Sequence, residues 1–240
     1  MTAEVPTPLY VALGDSISID LYAGGPGRGG ASLLARNIDD DFPQWQGRDL
    51  VSRAPGWQRR ILATDGGTSL SLVQQQLPLF ERLPAPSAVT LTIGGNDVLG
   101  NYGDTRGALR TVRQVRDRLD VVLPRVARLA VPGAPLLLGT VYDPSDGTAD
   151  ASSVGLPPWP DVVQVLAELN EMLRQAADRH GARVAEIHAR FLGHGLQAGN
   201  PAQGLARPDD RNLWYCSVIE PNAWGADQVR AAFWDALAPL

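Results

Sequence analysis

The sequence predicts an α/β fold, with a parallel sheet covered by helices on both faces. Three observations predict it. Short apolar runs recur along the chain, with stretches of helical periodicity between several of them. The runs are apolar on both faces, as buried parallel strands are. Two of them, at 9–13 and 88–93, lead into glycine-containing turns, Gly14-Asp15-Ser16 and Gly94-Gly95-Asn96-Asp97. Strands that alternate with helices make a doubly wound, three-layer sandwich.

The elements follow in order. Strands are predicted at 9–13, 60–64, 88–93, 135–141 and 183–187. Leu109, Val112, Val115, Leu119, Val122, Val126 and Leu129 recur at spacings of three and four and build one apolar helical stripe, with arginines and aspartates opposite. Pro124 is expected to kink or restart that helix. A second helix is predicted over 161–177, with Leu166, Leu169 and Leu173 on one side and Gly181 near its C-cap. A last helix covers 222–237, where Val229, Phe233 and Leu237 recur every four residues. Long loops fall at 20–30, 43–56, 142–160 and 193–212, and loops of that length are usually functional or mobile. Five of the six tryptophans, Trp45, Trp57, Trp159, Trp214 and Trp224, lie in or beside irregular segments. There they either wall a ligand cleft or cap the core.

Size and charge narrow the class. At 240 residues the chain is long enough for a full core and is expected to form a single domain over 1–240. A net charge of −5 argues against a nucleic-acid partner, which would need a basic excess. The opening Met1-Thr2-Ala3-Glu4-Val5-Pro6 has no basic flank and no long apolar stretch, so no signal peptide is expected. No segment approaches the ~20 apolar residues that span a bilayer, so no membrane partner is expected. The single cysteine, Cys216, allows no internal disulfide. Together these predict a cytoplasmic protein.

A serine and an asparagine at the ends of two strands suggest a nucleophile and an oxyanion donor facing one cleft, because open α/β sheets bind ligands at the carboxyl ends of their strands. The bland alternative is that Ser16 caps the following helix and Asn96 closes a turn. A third block, Asp65-Gly66-Gly67-Thr68-Ser69, follows the second strand. In order, spacing and placement the three blocks resemble the SGNH (GDSL-type) hydrolase family over nearly the whole chain. The resemblance implies a flavodoxin-like α/β/α sandwich with a central five-stranded parallel sheet. It also implies ester hydrolysis through a Ser16 nucleophile, with an oxyanion hole made by the Ser16 and Gly66 backbone N–H groups and the Asn96 side chain.

The fourth block departs from that family. Members usually carry Asp-x-x-His-Pro before the last helix, where the histidine takes the serine proton and the aspartate orients it. Here Ser217 stands at the aspartate position and Glu220 at the histidine position, while Pro221, Asn222 and Gly225 keep the register. Three readings are open. Another histidine supplies the base: His194, between glycines in the preceding loop, or His188, which closes the fifth predicted strand. Alternatively Glu220 is the base, which requires burial to raise its pKa. In the third reading the triad is dead and the cleft binds without turnover. His180 is assigned to a charge interaction at a helix end.

Weaker signals add little. The run Gly25-Pro26-Gly27-Arg28-Gly29-Gly30 fits a dinucleotide fingerprint, but it does not sit directly between a strand and a helix. A flexible rim to the cleft is the better reading. Asp20 and Tyr22 could line the substrate entry. Asp39-Asp40-Asp41 reads as a solvated loop or helix end, and no cluster has metal-ligand spacing. The expected function is therefore hydrolysis of a small-molecule carboxylic ester, acetyl or short acyl, without cofactor or metal. The rivals are a non-catalytic protein using the same cleft and a flavodoxin-like nucleotide or flavin binder.

Overall fold

The computed structural model describes residues 7–196, 198 and 211–237. The chain opens with β1 (Leu9–Gly14), α1 (Gly30–Ala35), α2 (Leu50–Arg53) and β2 (Gln58–Ile61). A broken helical segment follows, α3 (Ser69–Ser71) and α4 (Leu77–Phe80), joined by a π-helical stretch at Leu72–Gln76. Next come β3 (Ala88–Thr92), α5 (Gly95–Leu99), α6 (Thr105–Leu129), β4 (Leu136–Gly139) and α7 (Val162–Arg179). The chain then forms β5 (Arg183–Ala185), α8 (Ile187–Phe191), a hairpin of β6 (Tyr215–Cys216) and β7 (Glu220–Pro221), and α9 (Ala223–Ala236).

Five parallel strands form one sheet, as expected, and their order is β2-β1-β3-β4-β5. In this order β1 and β3 flank the point where the winding reverses, and a crevice opens at their carboxyl ends. Alternate residues of β1 feed two cores. Leu9, Val11 and Leu13 pack with Val115 and Leu119 of α6 and Leu169 of α7. Tyr10 and Ala12 pack with Leu34 of α1 and Val229 and Phe233 of α9. Helices therefore cover both faces, which explains why β1, β3 and β4 are buried throughout.

Three expectations need correction. The second strand lies at Gln58–Ile61 rather than 60–64. It is the sheet edge, so its exposed Gln58, Arg59 and Arg60 carry no apolar signal. The apolar Leu62 and Ala63 lie just beyond it, their N–H groups still bonded to the Ala12 carbonyl at 2.8 and 3.1 Å. Of the two outcomes expected at Pro124, a kink or a restart, the restart does not occur, because α6 runs through it for 25 residues. Pro124 faces solvent, where water can satisfy the carbonyl it leaves unbonded, while Val122, Leu123 and Val126 hold both halves on the sheet. Finally, the fifth strand ends at Ala185, so His188 stands in α8 and does not close a strand.

Beyond the sheet's hydrogen-bonded ladder, two buried amide side chains continue the pairing. Gln76 accepts from the Gly14 N–H at 2.7 Å and donates to the Gly14 carbonyl at 2.7 Å. Asn170 of α7 does the same for Val141, at 2.7 and 2.8 Å. Each supplies backbone pairing at a strand end, where the Gly14 carbonyl also accepts from the Thr64 N–H at 3.1 Å. Gln76→Ala is expected to strand the buried Gly14 N–H, while the Gly14 carbonyl keeps its bond from Thr64, costing about 1–3 kcal/mol. Equilibrium urea unfolding checks this, as a lowered midpoint at unchanged slope.

Candidate active site

Gly14 makes the first turn of the site possible. Its φ is 117°, in the region that favours glycine, and an added Cβ would lie 1.8 Å from the Thr92 carbonyl oxygen of β3. The next residue, Asp15, is sewn to β3. Its N–H donates to Thr92 O at 3.1 Å, and its carboxylate accepts from the Thr92 hydroxyl at 2.7 Å. The same carboxylate accepts from the Ile17 N–H at 3.2 Å and caps the helical turn Ser16–Ser18. Asp15 thus takes the capping role that the bland reading gave to Ser16. Ser16 becomes the first residue of that turn, where a backbone N–H has no acceptor within its own helix.

Asn96 sits beside it in α5, directly beyond the end of β3. Its Nδ2 donates to the Gly67 carbonyl at 3.1 Å, and a second amide hydrogen is available to a ligand. Gly67 in turn lies against the first turn, since a Cβ there would meet Gly14 O at 2.4 Å. Asp97 fixes the arrangement from behind. It accepts from the Ser69 N–H at 2.9 Å and the Ser69 hydroxyl at 2.5 Å, and Arg118 lies 3.5 Å away. Gly66 holds a left-handed φ of 64° on the exposed side of this loop and does not line the cavity.

Glu220 arrives from the other side, on β7. The β6–β7 hairpin turns through Ser217 and Val218, both left-handed at φ 42° and 75°. For a β-branched valine that is a strained conformation. The Tyr142 hydroxyl holds the turn by donating to the Ile219 carbonyl at 2.8 Å. Asn222 anchors its far side, donating to the Leu213 carbonyl at 2.5 Å while its oxygen caps α9 by accepting from Trp224 N and Gly225 N. Ser16, Asn96 and Glu220 consequently line one cavity of about 100 Å³.

Burial is the main force on the carboxyl groups. It raises the Glu220 pKa above the usual carboxylate range; a hydrogen-bonding interaction with the Ser16 hydroxyl opposes that rise, and the charge of Asp65 adds to it. The Oε2 atom is buried and has no hydrogen-bond partner among the described residues. Burial also lifts Asp15 to about 7, against its bonds from Thr92 and Ile17, with Glu220 and Asp97 adding repulsion.

The histidines lie elsewhere. His194 stacks flat on Trp214, with ring centroids 3.6 Å apart and planes 5° from parallel, and its Nδ1 meets the Asn212 carbonyl at 3.2 Å. His188 directs Nδ1 to the Val141 carbonyl at 3.2 Å. Neither lines the cavity. His180 pairs with Asp120 of α6 at 2.8 Å. Of the residues sequence reasoning singled out, the structure brings Ser16, Asn96 and Glu220 together and leaves His194 and His188 apart from them. It adds Asp15, which stands in the Gly14-Asp15-Ser16 block but was given no role, and Tyr142, which no periodicity or spacing marks. Tyr22 is placed at the rim, its hydroxyl 3.2 Å from both oxygens of Asp65. Of the tryptophans, only Trp159 lines this cavity.

The glycine-rich run carries no phosphate cradle. The N–H groups of Gly27 and Gly29 are spent on the Asp20 carboxylate, at 2.8 and 2.9 Å. In the aspartate triplet, Asp41 pairs with Arg28 at 2.7 Å and Asp39 accepts from Asn37 at 2.7 Å. Among the described residues no His, Cys, Asp or Glu group could hold a metal ion, and no helix is long and apolar enough to cross a membrane.

Comparison with known proteins gives consistent findings. The sequence model of the GDSL-like Lipase/Acylhydrolase family matches residues 12–227. Phospholipase A1 from Streptomyces albidoflavus NA297 superposes with a TM-score of 0.61 at 21% identity, covering 97% of this chain and 100% of that one. The extracellular lipase of Streptomyces rimosus gives 0.57 at 20%, covering 96% and 100%. The acetylxylan esterase Axe2 of Geobacillus stearothermophilus gives 0.63 at 16%, covering 95% and 93%. At these identities the structures share the fold. No curated protein matches the sequence significantly.

The buried carboxyl of Asp15 has a consequence for stability. Its proton is held to about pH 7 in the folded protein and lost near 3.8 when unfolded, so between these values the unfolded chain binds fewer protons. Folding stability contributed by the protonated form is therefore complete below the lower value and falls as pH rises through the higher one. Asp15→Asn is expected to flatten that fall, measured by urea unfolding at a series of pH values between 4 and 8. An equally steep fall in the variant would contradict it.

Proposed function

Because the chain belongs to the GDSL-like lipase/acylhydrolase family, we propose that it is a serine esterase in which Glu220, and not a histidine, is the general base. The observation that carries this reading is the meeting of the Ser16 hydroxyl with the Glu220 carboxylate in one cavity. Ser16 Oγ attacks the ester carbonyl carbon while its proton passes to Glu220. The carbonyl oxygen becomes an oxyanion, received by the Ser16 N–H and by Asn96 Nδ2, while Gly66, expected as a third donor, lies outside the cavity lining. Collapse breaks the ester C–O bond, and Glu220 returns the proton to the leaving alkoxide, releasing the alcohol. Water then attacks the acyl-enzyme with Glu220 again accepting a proton. The acid leaves and Ser16 regains its hydrogen.

An exposed glutamate would be too weak a base near neutrality, and burial is what corrects this. The reading of His194 as base has no support from its place on Trp214.

The test uses p-nitrophenyl esters and a fluorophosphonate probe. Ser16→Ala is expected to abolish labelling and turnover. Asn96→Ala should lower kcat by about 10²–10³. Glu220→Ala is expected to lower kcat/KM by at least about 10², and His194→Ala to leave it within about twofold. A larger loss in the histidine variant would overturn the base assignment. No labelling of the wild type, with no turnover above a heat-killed control, would favour a binding protein.

The same assignment predicts a pH profile. Glu220 must be ionised to accept the proton, so kcat/KM should rise with pH through its raised pKa, above the usual carboxylate range. A profile flat down to pH 4 would contradict a carboxylate base lifted by burial.

A further inference from the structure

We infer that the cavity beyond Ser16 is an acyl slot for aliphatic chains longer than butyryl, with Trp159 as its floor. This rests on the esterase reading above and names its substrate class. The polar residues facing the cavity fall into two groups. Ser16, Asn96 and Glu220 stand at the reacting end. The others are spent on the protein itself. Asp143 accepts from the Ser145 N–H and hydroxyl, at 2.8 and 2.7 Å, and from the Gly147 N–H at 2.9 Å. Tyr142 donates to Ile219 O at 2.8 Å, and Tyr102 donates to Pro157 O at 2.6 Å. Asp15 is engaged with Thr92 and Ile17.

What these leave to a ligand is hydrocarbon. Val98, Leu99, Val141, Leu156, Val162 and Leu166 line the slot. A sugar would find few hydroxyl partners along this wall, and an acetyl group would leave it unfilled. Trp159 closes it. The indole is 3% exposed, meets Tyr102 edge-on at 5.1 Å, and donates Nε1 to the Thr105 hydroxyl at 2.9 Å. Its polar atom is thereby turned to α6 and its carbon face is left to the slot. The wall carrying Leu156 belongs to the loop between β4 and α7, and the Tyr102–Pro157 bond ties that loop to the segment after α5.

The experiment compares kcat/KM for p-nitrophenyl acetate, butyrate, octanoate and palmitate, in the wild type and in Leu156→Trp, which fills the slot from a half-buried position. Each methylene that enters should raise kcat/KM by roughly three- to fourfold. The octanoate-to-acetate ratio is expected to exceed about tenfold in the wild type, by that same methylene term, and to collapse towards one in Leu156→Trp. Trp159→Ala, if it folds, should shift the optimum to longer chains. A wild-type ratio at or below one, or a ratio unchanged in Leu156→Trp, overturns the slot even though Ser16-dependent hydrolysis persists. If no ester is hydrolysed at all, the esterase reading fails separately, and the slot is judged by calorimetric titration with octanamide against acetamide. Octanamide binding that Leu156→Trp weakens, with acetamide not binding, upholds it. No octanamide binding overturns it.

Discussion

Two strand ends that touch govern this molecule. Gly14 and Thr92 are paired in register at the carboxyl ends of β1 and β3, and the Gly14 backbone leaves no space for a Cβ against the Thr92 carbonyl. That contact sets the course of everything beyond it. Asp15 must pass over the end of β3, where the Thr92 hydroxyl and N–H-to-carbonyl bond hold it. Ser16 must then begin a helical turn at the mouth of the crevice. The Asp65–Gly67 loop presses against the same glycine, and it offers the Gly67 carbonyl that holds Asn96. A side chain at position 14 would separate the strand ends and disperse all three segments.

The sheet alone does not complete this junction. At the crevice the Gly14 N–H at the end of β1 and the Val141 backbone beyond β4 take side-chain partners, and a buried unpaired amide is costly. Gln76 and Asn170 meet the need from opposite helical segments, each mimicking a strand residue. Gln76 sits at the end of a π-helical stretch, whose wider turn displaces the side chain relative to a regular helix. Packing of the helical segments is thereby coupled to the exact course of the strands that carry the site.

This explains which features were legible in the sequence. The central strands, their parallel character and the long helices follow from apolar runs and periodicity, which burial imposes over many residues at once. Ser16 and Asn96 were visible because they stand in short glycine-containing blocks directly behind strands. Glu220 was found only by keeping register from Pro221 and Asn222. Gln76, Asn170 and Tyr142 were not legible, since each acts through bonds to one residue far along the chain and leaves no local pattern. The edge strand was displaced for the same reason that edges are hard to read: its side chains face water. His194 misled because flanking glycines signal freedom of the backbone and say nothing of an indole face nearby. Of the last long loop, residues 197 and 199–210 lie outside the described residues.

A carboxylate in place of an imidazole asks for a particular environment, and the charges around Glu220 supply it. A guanidinium beside it would hold the group ionised and weakly basic. The charged groups that act on Glu220 and Asp15 are acidic instead: Asp65 on the first, Glu220 and Asp97 on the second. Tyr22 and Cys216 feel the same field, and burial with the nearby acids pushes each up to about 12. On the proposed esterase reading, such a field opposes the gathering of further negative charge and so favours transfer of a proton to Glu220 when Ser16 loses one. On the same reading it opposes the oxyanion at the substrate, and that effect is met by donors close to the oxygen, the Asn96 amide and the Ser16 N–H. On this reading the substitution of glutamate for histidine and the tight clamping of Asn96 through Gly67, Asp97 and Ser69 are two sides of one electrostatic arrangement.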